Sequence, residues 1–529
     1  MYDYLIQNAR ILNGSGSAAV SGDVAVTGGA IAAVGHLPGA PARHVIDARS
    51  RFLTPGFIDI HRHADAALFS PEFGKAELAQ GLTTVINGNC GLSLAPVDGS
   101  YQADTLRYLA PIVGGLPKSR TFPTLSGYCA QAGRVPLRLN AGMLVGMGTL
   151  RACVAGFRDG DLSDGEYCQL HHLLERALSG GALGVSLGLS YAPECFYSTD
   201  GLIRALEPLR DSGVPVAVHM RQEGDGVVEA LKEMLLVARA LRTPVEISHL
   251  KAIGKRNWNR AVPEMLVLLD QAGQDGLDIA CDVYPYPAGS TQLIHVLPPE
   301  FQAGGLSALT EALRDSAARA EMRRRMETGR DFENISLLVG FENIRPTSLH
   351  LPENQPLEGK TLAEIAEIRR QDPYDALFDL LASEHCAVSM IDYIASEKDI
   401  DAILRAPFSS VISDATYPVG GLWHRRVYGT FPRLLETYVR KRHILTLPDA
   451  VRRITRLPAE RLGLSRKGRI EVGADADLCL FDPDSIHEAD TWQAPEQLAQ
   501  GMDYVFVNGI PAIAQGQFTE QFSGRLLRK

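Results

Sequence analysis

The middle of the chain alternates short apolar runs with longer stretches of helical character. Eight of the apolar runs are predicted to be strands, at Phe57 to His63, Thr83 to Cys90, Leu137 to Gly146, Ala182 to Leu187, Val214 to His219, Val245 to His249, Leu277 to Tyr284 and Ser409 to Asp414. Strands that alternate with helices imply βα units and a parallel sheet. Because eight parallel strands close a (β/α)8 barrel, the pattern predicts an α/β fold of the TIM-barrel type.

One helix is marked at both of its boundaries. Ser163 and Glu166 have the spacing of a capping box, and Gly180 and Gly181 follow the last apolar position. The apolar side chains between them recur at helical spacing, at Leu170, Leu173, Leu174 and Ala177. The sequence therefore predicts a helix between Ser163 and Gly180.

Both ends of the chain have a pattern of short strands and turns instead, within residues 4–50 and again from Gly468 to Gly509. The two ends are predicted to form one discontinuous β-sandwich domain, 1–54 and 465–529, beside a barrel domain at 55–464. The gap between the seventh and eighth strands is too long for a single crossover, and it predicts an insertion at about 291–385. This gap contains a helical stretch, Leu309 to Met326, and a strand-like stretch, Ala387 to Ile391.

The amino-acid composition and the net charge limit the kinds of protein that this chain can be. Hydrophobic residues make up 45% of the chain and charged residues 22%, which is typical of a globular protein. The net charge of -10 and the pI near 5.8 argue against a nucleic-acid-binding surface. The sequence has no signal-peptide pattern and no run of about 18 apolar residues, and its eight cysteines are scattered without a Cys-x-x-Cys pair. We therefore expect a cytoplasmic protein without a membrane or nucleic-acid partner, and its oligomeric state is left open.

Residues that bind metals or transfer protons lie at the ends of the predicted strands, at His61, His63, Cys90, His219, His249 and Asp414. The carboxyl ends of barrel strands converge on one mouth, so these side chains are expected to meet there. A thiolate and imidazoles are good zinc ligands, and three protein ligands leave a position open for water. Each residue alone is uninformative, and an aspartate after a strand is often a helix N-cap, which is the alternative role for Asp414.

Seven segments of the chain resemble the amidohydrolase superfamily and, within it, the N-acyl-D-amino-acid deacylase (D-aminoacylase) family. They are Thr54 to Asp65, Gly81 to Gly91, His219 to Asp225, Ser248 to Lys251, Tyr284 to Tyr286, Gly429 to Arg433 and Lys467 to Asp477. The resemblance extends over nearly the whole chain. In this family a cysteine, here Cys90, replaces the carboxylated lysine of related hydrolases.

The resemblance implies zinc as the cofactor, with one tight site and a second, weaker site. Cys90, His219 and His249 would hold the tighter ion, while His61 and His63 would serve the second position, with Cys90 able to bridge. Asp414 would be the catalytic acid–base residue. The residues that would bind the substrate's carboxylate and polarise its carbonyl are Lys251, Tyr284, Ser290 and Arg426, with Arg425 as a competitor of Arg426.

The implied activity is removal of the acyl group from small N-acyl-D-amino acids, with a metal-activated water as the nucleophile. Two alternatives keep the fold: a cyclic amidase of the hydantoinase or dihydroorotase type, and a dipeptidase. Those relatives commonly use a carboxylated lysine, so Cys90 favours the deacylase. A third alternative is a metal-free binding protein built on the barrel, but it predicts eroded ligands, whereas the full set from His61 to Asp414 is present.

Overall fold

The structure is a computed structural model that describes residues 1–116 and 120–529. Five strands precede the barrel: β1 (Tyr2–Ile11), β2 (Val20–Thr27), β3 (Ala30–Gly35), β4 (Ala42–Asp47) and β5 (Phe52–Pro55). Strands β1, β2 and β3 pair antiparallel through two hairpins, and β4 and β5 run parallel to β1. Asn13 and Gly14 lie in the connection between β1 and β2, and Gly28 and Gly29 form the turn between β2 and β3.

The barrel strands come next, and an insertion separates the seventh from the eighth. The first seven are β6 (Phe57–Asp59), β7 (Leu82–Asn87), β8 (Asn140–Gly146), β9 (Gly184–Gly188), β10 (Val216–His219), β11 (Val245–Ile247) and β12 (Ile279–Val283). The insertion contributes β13 (Ala288–Gln292), β14 (Ile344–Thr347) and β15 (Ser389–Tyr393), and the eighth barrel strand is β16 (Ser409–Val411).

The eight barrel strands form one parallel sheet in the order β16-β12-β11-β10-β9-β8-β7-β6. The amide of Asp414 donates to the carbonyl of His61 at 2.9 Å, and the amide of His63 donates to the carbonyl of Ala415 at 2.9 Å. These bonds join the chain after β16 to the chain after β6 and bring the two ends of the sheet together. The predicted TIM-type barrel is confirmed, and each of the eight predicted runs overlaps a barrel strand.

Helices follow the strands along the chain and are numbered α1 to α17. Before the insertion they are α1 (Lys75–Ala79), α2 (Gln102–Val113), α3 (Leu125–Ala132), α4 (Met147–Ala155), α5 (Asp164–Ser179), α6 (Thr199–Ala205), α7 (Val227–Leu241) and α8 (Ala261–Gln274). Helix α5 is the helix predicted from its boundaries, and Ser163 and Glu166 form its capping box. No helix within residues 1–116 and 120–529 combines the length and the apolar character needed to cross a bilayer.

The insertion holds its own small sheet and five helices, which are α9 (Gly305–Ala312), α10 (Ser316–Thr328), α11 (Ile335–Val339), α12 (Leu362–Arg369) and α13 (Pro373–Ser383). Its strands pair antiparallel in the order β13-β15-β14. The helical stretch Leu309 to Met326 is two helices rather than one, because Asp315 caps α10 by accepting a hydrogen bond from the amide of Ala318. Strand β15 overlaps the strand-like stretch predicted at Ala387 to Ile391.

The last part of the chain contains α14 (Glu397–Arg405), α15 (Arg426–Arg433), a π-helical segment (Leu434–Lys441), α16 (Leu447–Arg453) and α17 (Arg456–Arg461), followed by β17 (Leu478–Phe481), β18 (Met502–Val507), β19 (Ile510–Ala514) and β20 (Gln517–Phe518). Strand β17 pairs antiparallel with β5, so both chain ends belong to one nine-stranded sheet with its own apolar core. The domain boundaries at 54/55 and 464/465 stay a prediction.

Candidate active site

The carboxyl ends of five barrel strands meet at one mouth of the barrel. At these ends, or in the loops that follow, lie the residues that the sequence singled out for metal binding and proton transfer, which are His61, His63, Cys90, His219, His249 and Asp414. All six side chains are buried. Except for His219, which ends β10, they lie just beyond the last residue of their strand.

Cys90 lies among three histidines. Its Sγ is 3.2 Å from Nε2 of His61 and 3.5 Å from Nε2 of His249. The same Nε2 of His249 is 3.0 Å from Nδ1 of His219. One thiol and three imidazoles, contributed by four different strands, therefore converge on one small volume.

Asp414 links the histidines to a buried arginine. Its Oδ1 lies 3.2 Å from Nε2 of His63 and 3.3 Å from Nε2 of His61, and its Oδ2 lies 2.8 Å from Nη1 of Arg426. The next helix, α15, begins only at Arg426, so Asp414 does not occupy a helix N-cap. Its carboxylate faces the mouth of the barrel instead.

Three of the site residues have left-handed backbone conformations: φ is 53° at Cys90, 37° at His249 and 51° at Asp414. Positive φ is uncommon outside glycine, and such strained positions concentrate at functional sites. The sharp change of direction at each strand end turns these three side chains into the mouth of the barrel.

The charges of the cluster stabilise one another. Burial alone would raise the pKa of the Cys90 thiol, but the charge of His61 and hydrogen bonds from two further histidines hold that pKa well below its ordinary range. Burial likewise opposes ionisation of Asp414, yet the Arg426 guanidinium and the adjacent histidines hold the pKa of this carboxyl well below its usual value. These shifts favour the anionic forms of both groups, which are the forms that bind metals and accept protons.

Glu223 orients one of the imidazoles. Its Oε1 lies 3.0 Å from Nδ1 of His249, which leaves Nε2 of that ring to face Cys90. The backbone amide of His249 also donates to Oδ1 of Asp282. Nζ of Lys251 lies 2.7 Å from the same Nδ1, so Glu223 and Lys251 both contact the outer nitrogen of this ring and hold its direction.

The donor atoms fit a zinc ion. The ligand atoms of His61, Cys90, His249 and Asp414 all lie within 4.8 Å of one another, and those of His219, Glu223 and His249 form an overlapping group at the same spacing. Within the described residues, Nδ1 of His63 and Nε2 of His219 are buried without a hydrogen-bond partner. Zinc takes a thiolate, imidazoles and carboxylates as ligands in sites of this size.

A cavity of about 470 Å³, including open solvent at its mouth, lies over the cluster. All four residues that the sequence suggested for substrate binding line it, which are Lys251, Tyr284, Ser290 and Arg426. Nζ of Lys251 lies 2.7 Å from a carboxylate oxygen of Glu223, so its charge is paired. Nη2 of Arg426 donates to the backbone carbonyl of Ser290 at 2.9 Å, which holds the guanidinium beside the cavity.

Arg425 takes no part in this lining. Its guanidinium forms ion pairs with Glu488 and Asp490, and its Nε lies 2.7 Å from Oδ2 of Asp490. Arg426 therefore lines the cavity, whereas Arg425 is paired with these two carboxylates outside it.

Comparison with known proteins identifies the family. A model described as "Amidohydrolase family" matches residues 351–512. D-aminoacylase from Alcaligenes xylosoxydans xylosoxydans is 32% identical to this chain over 528 residues, which cover 100% of this chain and 98% of the relative. The chain belongs to the N-acyl-D-amino-acid deacylase family of the amidohydrolases.

Two further members of this deacylase family are also similar over their length. N-acyl-D-aspartate deacylase from the same organism is 34% identical, with 96% of this chain and 91% of the relative covered. The solved structure of N-acyl-D-glutamate deacylase from Bordetella bronchiseptica, complexed with zinc and a phosphonate inhibitor, has a TM-score of 0.83, with 30% identity and 100% of both chains covered. The resemblance inferred from the sequence segments is confirmed.

Sequence reasoning missed several residues of the site. Glu223 lies within the segment that carried the family resemblance, four positions after His219, but it was given no role. Its position four residues after His219 was the feature of the sequence that could have identified it as a neighbour of the histidines. His295, Glu333 and Asp392 also line the cavity, and all three come from the segment between β12 and β16. No local pattern marks them, because only the folding of this segment over the barrel brings them to the mouth.

Proposed function

We propose that the protein is a zinc-dependent amide hydrolase that removes the acyl group from small-molecule N-acyl-D-amino acids. The observation that carries this proposal is the buried cluster in which the thiol of Cys90 lies 3.2 Å from His61 and 3.5 Å from His249, beside the carboxylate of Asp414. Membership of the deacylase family, through relatives that span the chain, supports the same activity.

In this proposal Cys90, His219 and His249 hold one zinc ion tightly. The side chains of His61 and His63 would serve a second, weaker position, to which the Cys90 thiolate would also be able to contribute. When bound, zinc lowers the pKa of a water molecule to about 7 and polarises a carbonyl group. The buried setting of these donors strengthens every charge interaction made there.

Asp414 is proposed to transfer the proton. Its ionised carboxylate accepts the proton of the attacking water and delivers it to the nitrogen of the leaving amino acid, as a general base and then a general acid. Arg426 and Lys251 are proposed to bind the carboxylate of the amino acid. The hydroxyl of Tyr284 is proposed to donate to the scissile carbonyl, and Ser290 to complete the substrate contacts.

Cysteine usage supports a reducing compartment, and we propose the cytoplasm. All eight cysteines are free thiols, so none is committed to a disulfide. Disulfides are rare where the glutathione and thioredoxin systems keep thiols reduced.

A substrate screen tests the proposed activity. Purified protein is assayed for bound zinc and for hydrolysis of N-acyl-D-amino acids, N-acyl-L-amino acids, cyclic amides and dipeptides. We expect zinc to co-purify and hydrolysis to be restricted to N-acyl-D-amino acids. Turnover of cyclic amides in preference to N-acyl-D-amino acids would overturn the proposed substrate class, and activity that chelation leaves unchanged would overturn the metal dependence.

A further inference from the structure

One end of the cavity is lined by carboxylates that the proposed reaction does not use. Asp392 lies on β15 and Glu333 lies just before α11, and both line the cavity together with His295. Nε2 of His295 is 3.5 Å from Oε1 of Glu333. A second cavity, of about 420 Å³, shares His295 and Glu333 in its walls, so there is space beyond them. We call Asp392, Glu333 and His295 the acidic end.

Asp392 is a buried carboxylate that lacks a hydrogen-bond donor. Its residue is only 2% exposed. Within residues 1–116 and 120–529, no N–H or O–H group donates to its carboxylate oxygens, and the charges of His295, Lys251 and Arg426 oppose the effect of burial. Burial raises the pKa of this carboxyl to about 6, so the group is ionised at neutral pH. Buried charges are normally paired or hydrogen-bonded, which makes an unpartnered carboxylate on a cavity wall a place for a ligand's donor.

The basic side chains that line the cavity have carboxylates of their own. Lys251 lies 2.7 Å from Glu223, and Arg426 lies 2.8 Å from Asp414. In the proposed reaction these two cations receive the carboxylate of the amino acid. Among the described lining residues they leave no lysine or arginine to neutralise a second carboxylate, so an acidic substrate side chain would be repelled at the acidic end.

Asp392 lies close to Tyr284, the residue that is proposed to bind the scissile carbonyl, and Gly289 lies between them. Gly289 and Asp392 are paired across β13 and β15. A Cβ on Gly289 would lie 2.9 Å from Oδ1 of Asp392 and 3.3 Å from the hydroxyl of Tyr284. The nearest atom to that Cβ would be Cδ1 of Ile394, at 2.8 Å, so the position is too crowded for a side chain, and the carboxylate and the hydroxyl both lie close to the backbone of Gly289. A substrate whose carbonyl is bound by Tyr284 would have its neighbouring groups within reach of Asp392.

We infer that the acidic end binds a cationic group of the substrate, with Asp392 as its principal acceptor, so that the preferred substrates are N-acyl derivatives of basic D-amino acids. This inference rests on the proposed deacylase function. A substrate that carries a carboxylate beside Arg426 and Lys251 and a cation beside Asp392 would present the opposite charge to each of these side chains. An amino group on the acyl part, as in an aminoacyl-D-amino acid, would also supply a cation. The experiment below distinguishes a cation on the amino acid side chain from a cation on the acyl group.

Matched substrates test the inference on the zinc-loaded protein. N-acetyl-D-arginine is compared with N-acetyl-D-citrulline, its uncharged isostere, and with N-acetyl-D-glutamate and N-acetyl-D-leucine. We expect kcat/KM for the arginine derivative to exceed that for the citrulline derivative about tenfold or more, the scale of a hydrogen bond between charged groups. Glycyl-D-leucine against N-acetyl-D-leucine tests the acyl source. A preference confined to this second pair would reassign the cation to the acyl group and overturn the preference for basic side chains.

Two variants distinguish the effect of the charge on Asp392 from the effect of a negative charge elsewhere in the insertion. Asp392→Asn keeps the size of the side chain and removes its charge, so the ratio of kcat/KM for the arginine derivative to kcat/KM for the citrulline derivative should fall to about one, whatever the change in the absolute rates. Glu367→Gln is the matched control, because it removes one negative charge from an exposed position on α12 of the same insertion. An unchanged preference in Asp392→Asn would remove Asp392 from the subsite.

Binding of the products gives a readout that does not depend on turnover. Titration calorimetry of the zinc-loaded protein should show D-arginine binding about tenfold tighter than D-citrulline, with the difference absent in Asp392→Asn. Equal binding of the two amino acids would overturn the inference even if deacylation is observed. Absence of all N-acyl-D-amino-acid hydrolysis, with the binding difference retained, would overturn the proposed function and leave the cation subsite supported.

Discussion

Arg426 and Asp414 form a buried ion pair in which Nη1 of the arginine lies 2.8 Å from Oδ2 of the aspartate. The other carboxylate oxygen of Asp414 lies between two histidines, 3.2 Å from His63 and 3.3 Å from His61. The proposed proton-transfer group, Asp414, is thus paired directly with Arg426, the proposed carboxylate-binding group.

Asp414→Asn should separate catalysis from metal binding. An amide of the same size keeps the packing but cannot accept the proton, so kcat should fall by about 100-fold to 10,000-fold. Zinc at the tight site, held in the proposal by three other residues, should stay near the wild-type amount when measured by elemental analysis. Turnover close to that of the wild type would remove Asp414 from the mechanism.

Arg426→Lys should weaken substrate binding because a lysine cannot make the paired hydrogen bonds that a guanidinium makes to a carboxylate. We expect KM for an N-acyl-D-amino acid to rise about tenfold. Arg425→Lys is the matched control, since that neighbouring arginine pairs with Glu488 and Asp490 away from the cavity. Equal effects of the two substitutions on KM would contradict the assignment of the carboxylate to Arg426.

Cys90→Ala should lose zinc, because it deletes the one thiolate among the proposed ligands. The control is Cys281→Ala, which alters an equally buried cysteine within β12 that does not line the cavity. Elemental analysis should find far less than the wild-type amount of zinc in the first variant and the full amount in the second. A full complement in Cys90→Ala would refute the role of this thiolate as a ligand.

Removal of zinc should lower the thermal stability as well as the activity. A ligand that binds only the folded state at 100 times its Kd adds about 2.7 kcal/mol to the free energy of unfolding. Chelation followed by calorimetry should therefore show a lower Tm, which added zinc restores. In Cys90→Ala the chelator should shift Tm much less than in the wild type. An identical Tm of the wild type before and after complete zinc removal would count against a structural contribution of the ion.

Ionisation of the Glu194 carboxyl should lower the free energy of unfolding as pH rises towards 8. Burial raises the pKa of its carboxyl from 4.5 to about 8, so the folded state holds this proton more tightly than the unfolded state does. The associated stability is complete below pH 4.5 and is lost as pH rises to about 8. Glu194→Gln should flatten this part of the pH profile of the free energy of unfolding, measured with urea. A profile of the same slope in the variant would show that other groups cause the decline.

The sequence by itself determined the architecture and the kinds of residue in the site. Strand and helix patterns are local, since burial of apolar side chains repeats with the period of each element, and this predicted the eight barrel strands and helix α5. The proposed ligands were also found from the sequence, because barrel strands end at a common mouth and cysteine, histidine and aspartate at those ends have recognisable chemistry.

Only the tertiary structure decided which side chains share the cavity. The neighbours Arg425 and Arg426 are alike in sequence, but at the start of α15 Arg425 enters a largely buried ion-pair cluster and Arg426 lies on the cavity wall. Glu223 acquires its place only when Lys251 and His249 are brought beside it. Asp392 reaches the site because β13 and β15 pair over the barrel mouth. Such contacts join residues far apart in the chain, so no local pattern of polarity contains them.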